Sequence, residues 1–139
     1  MLITIQTKVA VNLAQAWESW TSPEHITQWN QASEDWHCPS ASNDITVGGK
    51  MISRMEAKDG SMGFDFEGTY TEVIPQKKLV ILLGDGRHMS VLFEEVDNEV
   101  LVTENFETED VNPIEMQQAG WQLILDSYAR HTNAFFGSK

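Results

Sequence analysis

Two charged side chains fall where apolar ones belong. Arg87 shares strand parity with Met89, Val91 and Phe93, and Glu104 shares parity with Val102 and Phe106. If those faces line an interior, a guanidinium and a carboxylate point inward. Burying either one unpaired is expensive, so each must pair, reach water at a mouth, or meet a ligand. Arg87 lies at a strand end, from which a long side chain reaches solvent readily. Glu104 is mid-strand and is the stronger site candidate, unless neighbours donate hydrogen bonds to it. Desolvated and without a cationic partner, its pKa would rise.

Other chemistry is sparse. The histidines are His25, His37, His88 and His131, and the sole cysteine is Cys38. His37 adjoins Cys38, but no second cysteine and no histidine pair stands at ligand spacing, so neither a metal nor a cofactor is expected. A catalytic thiol would need an activating base, and the sequence places none beside Cys38. The serine-nucleophile pattern G-x-S-x-G is absent. Gly84-Asp85-Gly86 is a hairpin turn that opens no helix, so it is no phosphate loop. No catalytic residue is assigned.

The elements that must position these groups follow from patterning. Ile3, Ile5, Val9 and Val11 alternate with Thr4, Gln6, Lys8 and Ala10, which reads as a half-buried strand. Asn12 can cap a short helix with Gln15 reaching back, and Ser22-Pro23 restarts the chain into a second. The two helices span roughly 13–20 and 23–29. Cys38–Asn43 reads as a loop. Strands then follow over 50–58, 63–70, 79–83, 87–96 and 99–107, punctuated by Asp59-Gly60-Ser61, Pro75, Gly84-Asp85-Gly86 and Asp97-Asn98. An antiparallel sheet of about seven strands is expected. Asn112-Pro113-Ile114-Glu115 has the form of a helix start, with Asn112 as N-cap, and the helix should run to about Phe136 with Gly137 as its stop. Its apolar stripe carries Ile114, Trp121, Leu125, Tyr128 and Phe135, and the polar Gln118 and Thr132 lie on it too. Gly120 inside this helix costs ~1 kcal/mol relative to alanine. Close helix–sheet packing, or a ligand near the backbone, would account for it.

That stripe needs a partner, and the sheet is the only one large enough. The expected architecture is α+β: a curved sheet around one long helix, plugged at one end by two short helices. Such an arrangement leaves either a packed core or an internal cavity. Length and composition fit one domain over residues 1–139. The net charge of -12 argues against nucleic acid and anionic membranes and reads as solubility. No run approaches the ~18 apolar residues that span a bilayer, and the alternating N-terminus lacks the form of a signal peptide. With its lone cysteine the chain is expected in the cytoplasm.

Several phrases carry a resemblance over essentially the whole chain: A-W-E-S-W-T-S-P-E-H-I-T-Q-W, G-G-K, M-E-A-K-D-G-S-M-G-F-D-F-E-G-T-Y-T-E-V, G-D-G-R, F-E-T-E and G-W-Q-L-I-L-D. Together they resemble the Aha-type family, the bacterial homologues of the Hsp90 ATPase activator, within the START/SRPBCC superfamily. The resemblance implies a helix-grip fold with an apolar cavity between the long helix and the sheet. Members include ligand carriers, co-chaperone domains and enzymes, so the fold alone does not decide among them. The expected function is binding of a small hydrophobic, aromatic or lipid-like molecule. The alternatives are a cyclase- or hydrolase-like enzyme using cavity polar groups, and a co-chaperone-like interaction module, in a monomer or weak homodimer. The residues expected at the ligand are Trp29, Met55, Phe66, Tyr70, Met89, Phe93, Glu104, Phe106, Gln118, Trp121, Leu125 and Tyr128. Trp17 and Trp20 are expected to serve as packing in the short-helix pair.

Overall fold

The N-terminal alternation becomes strand β1 (Leu2–Val9), which buries Ile3, Ile5 and Val9 and turns Thr4, Gln6 and Lys8 outward. The structure is a computed structural model that describes residues 2–137. Asn12 and Gln15 then close a reciprocal capping box. The Gln15 N–H donates to Asn12 Oδ1 at 2.8 Å, and the Asn12 N–H donates to Gln15 Oε1 at 3.2 Å. This satisfies two orphan donors and starts α1 (Leu13–Thr21). Pro23 at the first helical position starts α2 (Pro23–Trp29), although the Ser22 hydroxyl makes no cap bond.

The chain continues through β2 (Trp36–Asn43), β3 (Lys50–Ala57), β4 (Gly63–Ile74), β5 (Lys78–Leu83), β6 (His88–Val96) and β7 (Glu99–Glu107) into α3 (Ile114–Phe136). The strands form one curled antiparallel sheet of seven, in the order β1-β7-β6-β5-β4-β3-β2. Sequential hairpins build it from β2 to β7, and β1 adds to the far edge. With α3 against its concave face, this is the expected α+β helix-grip fold.

Two local expectations are corrected. Cys38–Asn43 is not a loop; it lies in edge strand β2, paired with β3. Pro39 cannot donate to a ladder, and the register shifts between His37 and Ser40, where that donor is not needed. The run of Ser, Ala and Asn has turn-like composition, and cross-strand pairing overrides it. The second correction concerns α3, whose N-cap is Pro113 rather than Asn112, with no side-chain cap bond. Buried Gln117 ties the entry instead. Its Nε2 donates to the carbonyls of Asn112 at 2.8 Å and Glu109 at 3.1 Å, and its Oε1 accepts from the Glu109 N–H at 2.9 Å.

The second half of α3 is pinned hard. Tyr128 donates its hydroxyl to the Ala16 carbonyl at 2.8 Å, and the Ser19 and Thr132 hydroxyls meet at 2.6 Å. Asn133 Oδ1 accepts from the Ala10 N–H at 2.8 Å, and His25 Nδ1 meets His131 Nε2 at 2.9 Å. Burial and the neighbouring His25 push His131 below its ordinary pKa.

Two glycines act in opposite ways. On β4, Gly68 faces inward, and a Cβ there would lie 2.6 Å from Ile81 Cγ2 and 2.9 Å from the Leu82 carbonyl oxygen. On α3, a Cβ at Gly120 would meet nothing within 4 Å, so close packing does not explain this residue. Gly68→Ala should therefore destabilise by about 1–3 kcal/mol through overpacking, and Gly120→Ala should stabilise by about 1 kcal/mol through helix propensity. Urea denaturation of both variants measures the contrast.

Candidate functional site

The first half of α3 stands off the sheet, and a pocket of about 370 Å³ lies beneath it. Period-two alternation supplies most of its wall. Met51, Ser53 and Met55 enter from β3, Phe64, Phe66 and Tyr70 from β4, Ile81 from β5, Met89 from β6 and Glu104 from β7. Trp20, Ile26 and Trp29 close one end from α1 and α2, while Trp121 and Ile124 roof it from α3.

Aromatic contacts fix the shape. Trp20 and Trp29 lie 5.1 Å apart, and each meets Tyr128 edge to face, at 4.9 and 5.2 Å. Trp121 is stacked on Phe106 at 4.1 Å with an interplanar angle of 6°, and it meets Phe66 edge to face at 6.1 Å. The Trp29 indole N–H donates to the Ser19 carbonyl at 2.8 Å, so that ring is locked. Tyr70 donates to Asn43 Oδ1 at 2.5 Å, and Asn43 Nδ2 donates to the Thr21 carbonyl at 2.9 Å. Burial pushes the Tyr70 phenol up to about 12, so it stays neutral at physiological pH.

Among the described residues, Glu104 is the one buried carboxyl in the lining. It is 5% exposed, and its cross-strand partners are Ile5 on β1 and Val91 on β6, both buried. Among the described residues it forms no ion pair, and burial is the sole perturbation of its carboxyl, with no hydrogen bond lowering it. No buried side-chain oxygen or nitrogen among them lacks a partner, so the carboxyl oxygens keep their exposure toward the pocket that Glu104 lines. Desolvation pushes its pKa from 4.5 to about 8, so the acid form dominates at neutral pH. Arg87 offers no relief. Its Nε donates to Asp85 Oδ2 at 2.8 Å and its Nη1 to the Glu107 carbonyl at 3.1 Å, at the pocket rim. With Glu109, Trp121 and Ile124 it also borders a second depression of about 320 Å³ that includes Gly120.

Among the residues expected at a ligand, the pocket brings together Trp29, Met55, Phe66, Tyr70, Met89, Glu104 and Trp121. Phe93 is instead core, wedged against Trp17 at 5.5 Å and Trp20 at 6.2 Å. Phe106, Leu125 and Tyr128 are also fully buried core, behind the pocket wall rather than in it. Gln118 is exposed, since the helix turns about 100° per residue and Gln117 takes the inward position. Trp20 is more than packing, because it lines the pocket beside Trp29. Ser42 and Asn43 were hidden by the loop-like composition of β2. Ser53 had a signal, its parity with Met51 and Met55. Cys38 is buried outside the lining, and burial raises its thiol pKa, which disfavours a reactive thiolate.

An uncompensated buried acid has a measurable cost. Its folded pKa is raised, so folding is unpenalised below 4.5 and loses stability as pH rises toward about 8. Glu104→Gln removes the titration and keeps the shape. The variant should be more stable than the parent by on the order of 3 kcal/mol at pH 7 and nearly equal at pH 4.5. Urea unfolding at several pH values reads this directly, and a gain independent of pH would contradict it.

The same arrangement of strands and helices occurs in known proteins. The family model described as Activator of Hsp90 ATPase homolog 1-like protein matches residues 10–132. The solution structure of an AHSA1-like protein from Aeromonas hydrophila is 40% identical, covers 96% of this chain and 93% of its own, and superposes with a TM-score of 0.91. A solution structure from Cytophaga hutchinsonii is also 40% identical, with coverage of 95% and 92% and a TM-score of 0.83. The Aha1 dimer from Colwellia psychrerythraea shares the fold at 16% identity, with 93% of each chain covered and a TM-score of 0.69. No curated protein matches significantly. With the family model spanning most of the chain and two solved relatives sharing two-fifths of its residues, this protein belongs to the Activator of Hsp90 ATPase homolog 1-like family.

Proposed function

We propose that this protein binds a small, mainly apolar molecule in the pocket beneath the first half of α3. The supporting observation is a pocket of about 370 Å³ whose surface is mainly apolar and aromatic with polar groups interspersed, the usual composition of small-molecule sites. An enzyme of hydrolase or cyclase type would need an acid and a base acting together. Among the described residues, Glu109 is the only carboxylate besides Glu104 in the pocket lining, which holds no histidine. That residue lies at the rim and accepts from the backbone N–H groups of Val111 at 3.2 Å and Asn112 at 2.6 Å. Carriage or sensing therefore fits the site better than turnover.

Naphthylethanol is a neutral probe of suitable size, and its binding should quench the emission of Trp20, Trp29 and Trp121 saturably. Ser53→Phe would place a ring in the pocket and should weaken that binding roughly tenfold or more, about 1.4 kcal/mol. Native mass spectrometry of freshly purified protein should show a co-purified small molecule that Ser53→Phe loses. A folded protein with neither saturable binding nor a co-purified species would overturn this reading.

A further inference from the structure

The phenol, amide and indole groups that line this pocket are satisfied from within the protein, and its one buried carboxyl is not. The Tyr70 hydroxyl and the Asn43 side chain bond to each other and to the Thr21 carbonyl, and the Trp29 N–H is bonded to the Ser19 carbonyl. Glu104 is more than nine-tenths buried, opens onto the pocket, and has no partner among the described residues. A binding site that leaves one group unpaired specifies what its guest must bring.

We infer that the natural guest is a small organic ammonium ion with an apolar or aromatic body, its cationic end set against the Glu104 carboxylate. This rests on the pocket being a ligand site and adds the charge of the ligand. Three observations favour a cation over a neutral or anionic guest. The rings of Trp20, Trp29, Phe66, Tyr70 and Trp121 line the space, and aromatic faces attract cations. Arg87 is the sole basic side chain lining it among the described residues, and Asp85 holds that guanidinium in place at 2.8 Å. The chain carries a net charge of -12, which favours approach of a cation and opposes an anion.

The inference has a sign that can be measured. The free pocket holds Glu104 largely protonated at neutral pH because burial disfavours the charge. A cation must displace that proton, so its affinity should climb as pH rises toward about 8 and then level off. The other titratable groups lining the pocket are Tyr70, Arg87 and Glu109. Tyr70 stays neutral across this range, Arg87 is paired with Asp85, and Glu109 lies at the rim. From the flanking strands Ile5 and Val91 face Glu104, and α3 presents Trp121 and Ile124; none of these titrates.

The test compares three probes with one body: naphthylethylammonium, naphthylethanol and naphthylacetate. Each is titrated calorimetrically into the full chain between pH 6 and pH 8, in buffers of different ionisation heat. The ammonium probe should bind at least tenfold tighter than the alcohol at pH 8 and gain up to roughly tenfold per pH unit below it, with release of close to one proton. Glu104→Gln should abolish both the preference for ammonium and the proton release. If the alcohol binds as tightly as the ammonium, or if ammonium binding releases no proton, the inference fails while the apolar pocket stands. Tighter binding of the acetate also defeats it. If no probe binds and no small molecule co-purifies, the ligand-site reading itself has failed.

Discussion

The structure depends on how α3 is held: by bonds to α1 and the chain after β1 at its second half, and by Gln117 at the entry and Trp121 against the sheet at its first. From Tyr128 to Asn133 the helix is tied to α1 and to the chain leaving β1 by bonds at Ala16, Ser19 and Ala10. In the first half, the stacking of Trp121 on Phe106 takes over the support. That pair props the helix above the sheet at ring-stacking distance instead of letting it settle. Trp121 roofs the pocket while stacked on Phe106 of β7, so two large rings make the helix–sheet contact beside the opening. Close-packed interiors resist such gaps, and apolar surface left uncovered forgoes stabilisation of ~25 cal/mol per Å².

Glu104 adds a second cost in the same place. Its inward parity on β7 matches that of Val100, Val102 and Phe106, all fully buried. A hydrophobic residue there would extend the core without interruption. A raised pKa alone does not distinguish a functional carboxyl from a frustrated one, since structural networks also shift titrations. The geometry narrows the choice. A frustrated carboxyl usually recruits a nearby donor, and here three donors of the lining are committed elsewhere: Tyr70 to Asn43, Asn43 to Thr21 and Arg87 to Asp85.

Much of this was legible in the sequence, for identifiable reasons. Strands with one wet face alternate strictly, so β1 and β7 could be read residue by residue. The α1 capping box is a local signal that needs no tertiary context, and it closes as the spacing of Asn12 and Gln15 implies. The Asp97-Asn98 turn was readable as well, and both residues take the positive φ that a tight hairpin demands. What failed were features decided by distant partners. β2 is a strand because β3 offers it a ladder, not because Ser40, Ala41 and Ser42 favour extension. The start of α3 is set by Gln117 reaching back to the Glu109–Asn112 loop, and a cap-shaped tetrapeptide could not reveal that. Among aromatics, parity told inside from outside but not core from pocket wall. Phe93 and Phe106 face inward as truly as Phe66 does, yet both are sealed behind other rings.

The G-D-G-R turn bears on the same question from the rim. Asp85 accepts from both the Arg87 backbone N–H at 3.1 Å and the guanidinium Nε at 2.8 Å, which binds the side chain to its own turn. The Glu107 carbonyl takes another guanidinium N–H and anchors the group against β7. Both Arg87 and Glu104 line the pocket, and a free guanidinium there would be the natural counter-ion for the buried acid. The resulting internal pair would fill the polar end with protein charge and leave no electrostatic vacancy. In the structure Arg87 is paired with Asp85, and Glu104 forms no ion pair among the described residues. The two acidic residues thus differ in setting: Asp85 pairs the one basic group that lines the pocket among the described residues, and Glu104 has no such partner.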